Sequence, residues 1–471
     1  MLSMPALLRQ YFSCEGIMKR TALCGELPSD RQVYGTTFRI AWPSIVESVL
    51  VALISAVDTM MVGSIGPEAI SAVGITAQPR MILVAVILSL NVGVTAVVAR
   101  RRGQNDPDGA SRCLKQCLLL SAAASLLLCC LGMIFARPLM SFAGAQPEIL
   151  DDATGYFRII VFGTFFSNIG LTINAAQRGA GNTRISMTTN LTANVVNVIF
   201  NFLLINGIGF FPRMGVYGAG VATAIGNITA MLMAVRSVWK RSSFLNLSGH
   251  HPWQPDRETL SSVIQVSGSA LVEQVFMRIG FFTYAKTVAS LGTIPFAAHQ
   301  ICMNLINFSF AVGDGFSIAS SSLVGQNLGA KRPDLAQLYV RVIQRIAAFF
   351  AAAIFLLFLL ARTPLLQLYT DDPQVISIGR EIMIILALSV PVQIIQVIIT
   401  GCLRGAGDSK YVACTSFISI AVIRPVLSWV LCYPVGWGVI GAWIGLITDQ
   451  ALRLLLNWAR FSAGKWTKIK L

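Results

Sequence analysis

The sequence predicts an all-α polytopic membrane protein, with twelve transmembrane helices in two six-helix lobes related by a parallel internal repeat. Three observations carry this expectation. Hydrophobic residues make up 55% of the 471 and charged residues only 12%, against about 25% charged in a soluble domain. Mean hydropathy is +0.69, and apolar stretches of the roughly 20 residues a spanning helix needs recur along the whole chain. The two halves also match each other at one offset.

The spans read at roughly 40–63, 71–98, 116–136, 155–177, 185–206, 216–237, 261–288, 294–323, 344–362, 376–402, 411–433 and 438–459. Turn chemistry separates them, as in "GQNDPDG", "RGAGNT", "FFPRMG", "LGAKRPD" and "TDDPQ". The organisation is an N-terminal extension over 1–35, an N-lobe over 36–240, a linker over 241–257, a C-lobe over 258–460 and a basic tail over 461–471. The N-terminus lacks the basic-then-apolar order of a cleaved signal, and Met18 offers a second start. Basic residues gather on one side of the spans: Arg100 to Arg102, Arg112, Lys115, Arg178, Arg184, Lys331, Arg332, Arg404 and Lys410. The opposite loops carry Glu68, Glu148, Asp151, Asp152, Asp371 and Asp372. Positive-inside logic places both termini in the cytoplasm of a plasma-membrane protein, which requires an even span count. The net charge of +15 then records where loops sit rather than a nucleic-acid partner.

The repeat is explicit. "RGAGNTR" at 178–184 returns as "RGAGDSK" at 404–410, and 404 − 178 = 226. Gly66 and Gly292, Pro107 and Pro333, and Glu47 and Glu273 share that offset. "GVYGAG" at 215 returns as "GVIGAW" at 438, three residues short of it. Six spans per half give both halves one orientation, the arrangement of parallel-repeat transporters that rock about a central cleft.

Ionisable groups inside spans are costly, about 2.5–3.5 kcal/mol at the bilayer centre on insertion scales, and mark function or internal pairing. Span 1 holds Glu47 and Asp58, 11 residues or about 16 Å apart along one face. Asp58 falls in its outer half. Span 5 carries Asn190, Asn194, Asn197 and Asn201 in one polar stripe, which must face protein or water; interhelical glue is its plain alternative. Glu47 reads as scaffold because Glu273 is its twin, whereas 58 + 226 reaches Tyr284. Asp314, Lys286, Arg424 and Asp449 are candidates for interior ion pairs. His299 reads as a surface or packing residue, and His250 and His251 as solvated linker residues. "RGAGNT" and "RGAGDS" are not phosphate loops, since GxxxxGK[ST] is absent; they read as tight turns and helix starts. The ten cysteines show no metal-like spacing and read as apolar fillers. No cofactor and no catalytic triad is expected.

Over about residues 35–460 the chain resembles the multidrug and toxic compound extrusion (MATE) transporters, of the bacterial NorM/DinF-like kind. The features are "VDTMMVG", "RGAGNT", "NVVNVIFNFLLINGIG", "GVYGAGVATAI", "AAHQI", "LVGQNLGAKRPD" and "LRGAGDSK", in that order. The resemblance implies a secondary antiporter that exports small organic, often cationic, compounds against protons or sodium. It implies a proton or cation site at Asp58, with Asn197 and Asn201 from span 5 and Thr223 from span 6. The family often has an acid where Asn201 stands. The remaining oxygens could hold a sodium ion, but one carboxylate among apolar surroundings favours the protonated form, so the departure tilts the expectation to protons. Glu273 matches a span 7 coupling glutamate, although its acidic partner on span 10 is here Gln393. A monomer is expected. The alternative is a lipid-linked precursor flippase of the same broad superfamily.

Overall fold

The computed structural model describes residues 12–19, 23–63, 65, 67–209, 211–239, 243–248 and 256–469. His250 and His251 lie outside the described residues. Twelve long helices follow one another: α1 Asp30–Gly63, α2 Pro67–Gly103, α3 Pro107–Ile134, α4 Leu150–Gly179, α5 Thr183–Asn206, α6 Gly215–Trp239, α7 Arg257–Ala289, α8 Thr293–Gly329, α9 Pro333–Leu360, α10 Pro373–Gly405, α11 Ser409–Cys432 and α12 Gly438–Ser462. Among the described residues eleven of these have stretches long and apolar enough to cross a membrane. The exception is α7, which has 33 residues but carries Arg257, Glu258, Glu273, Arg278 and Lys286.

Several helices begin earlier than the apolar stretches suggest. α1 starts at Asp30 and α9 at Pro333, because hydropathy sees only the apolar part of a helix whose polar end continues. Asp106 and Asp372 cap α3 and α10, accepting from Gly109 N and Gln374 N, each at 2.8 Å. Each cap precedes a proline at the first helical position, where its missing N–H costs nothing. α11 is not one uniform helix, as its sequence suggests: Phe417–Ile423 is π-helical and delivers Arg424 to the start of the following turn.

The chain packs as two compact units, Val46–Gly268 and Met1–Ile45 with Ser269–Leu471. In the first, α4 lies at the centre against α2, α3 and α6; in the second, α10 lies against α8, α9 and α12. The repeat reaches down to backbone contacts. A Cβ on Gly179 of α4 would strike Thr95 O, and one on Gly405 of α10 would strike Ser321 O, each residue 226 beyond its counterpart. Small residues let these backbones touch where apolar burial alone gives no drive between membrane helices. Asn105 and Lys331, also 226 apart, are the non-glycine residues at positive φ among the described residues (56° and 57°).

A short segment docks on each unit. Ile17 and Met18 of the helix Cys14–Met18 are buried, and Ile17 O accepts from Arg341 Nη1 of α9 at 2.7 Å. In the other unit Leu245 is buried in one cluster with Ala110, Cys113, Leu114 and Cys117, all of them on α3, and Asn246 N donates to Ser111 Oγ at 3.1 Å. The cysteines are free thiols, and most are buried.

Gly280 of α7 meets the π-helical segment, where a Cβ would collide with Ile420 O, whereas a Cβ on Gly268 meets nothing within 4 Å. Gly280→Ala should therefore cost about 1–3 kcal/mol of stability. Gly268→Ala should be neutral or gain up to about 1 kcal/mol from helix propensity. Thermal unfolding of the two purified variants checks the contrast.

Candidate functional site

α1 and α5 run side by side in one register, which divides the asparagine stripe into two stations. At the first, Asn190 Nδ2 donates to Glu47 Oε1 at 2.5 Å, joined by Ser186 Oγ at 2.9 Å and by Arg178 Nη1 at 3.3 Å. At the second, Asn201 Nδ2 donates to Asp58 Oδ1. Both pairs are 143 residues apart in sequence, as expected when two helices keep constant register.

Asn197 joins the second station. With its amide oxygen turned to Thr223 N and Oγ1 (3.1 and 3.2 Å), its nitrogen donates to Asp58 Oδ1 at 2.9 Å. This orientation is assigned because the nitrogen then faces the carboxylate and the oxygen faces donors. The expected set of Asp58, Asn197, Asn201 and Thr223 is thus in one place. Asn197 and Asn201 are buried and Asp58 is half-buried. Asn201 Oδ1 is buried without a hydrogen-bond partner among the described residues. Arg80 of α2, which sequence reasoning passed over, acts on Asp58 through its charge.

The other unit repeats the first station. Arg404 Nη2 donates to Glu273 Oε1 at 2.8 Å, and Ser416 Oγ at 3.0 Å. Arg404 stands 226 beyond Arg178 and Ser416 stands 226 beyond Asn190. The motif arginines are therefore ligands of the buried glutamates as well as members of turns; the turns are there, with Gly181 and Gly407 at φ 86° and 89°. The shared offset of glutamate and arginine was the signal that could have paired them. Gln393 is held by Ser309 Oγ at 3.4 Å, with no contact to Glu273 among those the structure records.

Arg424 and Asp449 form a buried pair, with Nη2 and Nε at 2.5 and 2.8 Å from Oδ2. The guanidinium lies 4.7 Å from the ring centre of Phe281. Lys286, expected with them as an interior pairing candidate, is instead exposed. Asp314 is exposed near the middle of α8 and within electrostatic range of Arg404. His299 is buried in an aromatic cluster with Tyr284, Phe296 and Trp443, at ring distances of 5.4, 6.1 and 5.7 Å; it packs and does not face the surface. No group of three or more His, Cys, Asp or Glu residues suited to a metal occurs among the described residues.

Two parallel-related six-helix units, each with a carboxylate buried among amide, hydroxyl and guanidinium groups, define an integral membrane protein of the two-lobed transporter fold. The MatE family pattern matches residues 43–203 and again residues 270–430, and the chain belongs to the MATE family. It is 27% identical to the "Probable multidrug resistance protein NorM" of Thermotoga maritima, over 91% of this chain and 92% of that protein. It is 28% identical to the "Multidrug resistance protein MdtK" of Pectobacterium atrosepticum, over 87% and 90%. A solved outward-facing multidrug resistance MATE transporter has the same fold, with TM-score 0.85 at 20% identity over 92% of this chain and 97% of that one. So does a MOP superfamily transporter from Pyrococcus furiosus, with TM-score 0.85 at 20% identity over 93% and 97%.

Removing one partner of a buried ion pair leaves an uncompensated charge, a loss of about 3–5 kcal/mol. Arg404→Gln should therefore destabilise the protein strongly, and Glu273→Gln in the same chain should recover much of the loss. A double-mutant cycle by thermal unfolding reads this directly. Additive losses would mean that the two side chains are not coupled.

Proposed function

We infer that this protein exports small organic, predominantly cationic, compounds across the plasma membrane by antiport, through alternating access of its two lobes. One observation carries the reading. Glu47, Glu273 and Asp449 each have an arginine in direct contact, whereas the hydrogen-bond partners of Asp58 are neutral amides. A membrane carboxylate held by amides, with no arginine in direct contact among the described residues and Arg80 acting only at longer range, can exchange a proton or a cation, which is the elementary step of coupling. Family membership and the relatives named as multidrug resistance proteins support the same reading.

Asp58, Asn197, Asn201 and Thr223 offer one carboxylate, two amide oxygens and a hydroxyl. The oxygen set is of the kind a hard cation takes, and the unpartnered Asn201 Oδ1 would suit it. The site carries a single negative charge, however, and its amides turn N–H groups to Asp58. That arrangement favours a proton as the exchanged ion. Glu273, tied to Arg404 as Glu47 is tied to Arg178, serves the scaffold. Asp314, exposed at mid-helix, is the second carboxylate suited to a cationic substrate. A lipid-linked precursor flippase would need interior cations free for a pyrophosphate. Arg404 and Arg424 are instead engaged by acids. The distribution of basic loops supports cytoplasmic termini.

Asp58→Asn should reduce efflux of cationic dyes to the level of cells lacking the transporter, at unchanged membrane abundance, while Glu47→Gln should act mainly on abundance. Full efflux by the Asp58 variant would overturn the site. In everted vesicles a proton gradient alone should drive dye movement. Drive by sodium alone would replace the proton with sodium in this scheme.

A further inference from the structure

The unit formed by Met1–Ile45 and Ser269–Leu471 holds a cavity of about 490 Å³ that the coupling site does not use. One wall is a single stripe of α9: Gln337, Arg341, Gln344, Arg345 and Ala348. Ile17 of the docked N-terminal segment and Trp458 of α12 also line it. Arg341 and Arg345 lie four residues apart on one helix face, and no lining residue is acidic. Gln344 Nε2 is buried with no hydrogen-bond partner among the described residues, so it leaves a donor unused.

We propose that this cavity binds the phosphodiester headgroup of an anionic lipid. Two like charges held together and an unused amide donor call for an anionic, multiply accepting ligand, and guanidinium forks match phosphate oxygens. The polarity of the wall changes along the helix. The arginines lie about 12 and 18 Å beyond Pro333 along α9. Past them the surface turns apolar, with Ala348 in the wall, Phe349 77% exposed on α9, and Leu455 and Trp458 67% and 45% exposed on α12. A headgroup at the arginines would run its acyl chains along these side chains, which a free phosphate would leave unused. The basic loop residues that place both termini in the cytoplasm place the cavity on the same side, where anionic lipids attract basic clusters.

The repeat argues that the feature belongs to this unit alone. The residues 226 before Arg341 and Arg345 are Lys115, which is buried, and Leu119. The related face of the other unit therefore lacks the pair of arginines. The cavity is also separate from Asp58, which belongs to that other unit, so a transport defect and a lipid defect can be told apart.

The test is native mass spectrometry and thermal unfolding of the full-length protein with phosphatidylglycerol, phosphatidylcholine or soluble glycerol 3-phosphate. The wild type should retain phosphatidylglycerol in preference to phosphatidylcholine and gain thermal stability from it, while glycerol 3-phosphate leaves it unchanged. Arg345→Gln should lower phosphatidylglycerol retention about fivefold, the effect of one basic residue at an anionic surface. If that variant does not fold, Arg341→Lys keeps the charge, loses the planar fork, and should also retain less. Equal retention of the two lipids, unchanged retention in the folded variant, or equal stabilisation by glycerol 3-phosphate would each overturn the proposal.

Discussion

The structure depends on a glutamate buried against the last turn of a neighbouring helix. Glu47 ties α1 to α4 and α5 through Arg178, Ser186 and Asn190. Glu273 ties α7 to α10 and α11 through Arg404 and Ser416. The arginines close the central helix of each unit one residue before a glycine that touches the next backbone. Charge and close packing thus meet at one level, and neither survives easily alone. An ion pair in an apolar surround is a poor source of net stability. It is strict about geometry, because losing either partner leaves a buried charge. That strictness holds three helices of each unit in register.

Against this common frame the two units diverge at the position of Asp58. The first leaves Asp58 to neutral amides from α5. In the second, the residue at the corresponding offset is Tyr284, 1% exposed, with Arg424 5.8 Å from its ring centre and paired to Asp449. The second unit therefore carries a buried arginine–aspartate pair near the position at which the first keeps an acid held by amides. The π-helical stretch before Arg424 fits the same picture, since an extra residue in the turn re-aims the side chains that follow it.

Much of the fold was legible in the chain because membrane helices obey a simple rule. Each must satisfy its own backbone and be apolar for about 20 residues. The rule finds α2, α3 and α10 directly. It finds α7 less well, because Glu273, Arg278 and Lys286 interrupt its apolar stretch, and it misses the polar starts of α1 and α9. It does not see the π-helix in α11, a segment that packs closely against Gly280 of α7. At the candidate site, the 4-3-4 spacing of asparagines marked the helix face that meets Glu47 and Asp58. Spacing could not tell that Asn190 serves Glu47 while Asn197 and Asn201 serve Asp58.

The sequence by itself determined that this is a helical membrane protein, that it is built twice, that it resembles the MATE family, and that Asp58 has no twin. Those facts reside in composition, period and offset, which need no partner helix. The tertiary structure decided which charges meet. It joined Arg178 to Glu47 and Arg404 to Glu273 across 131 residues, set Arg424 on Asp449, and left Asp58 with amides. The cost of a buried charge is set by its nearest neighbours in space, and in a bundle those neighbours come from helices that are distant in the chain.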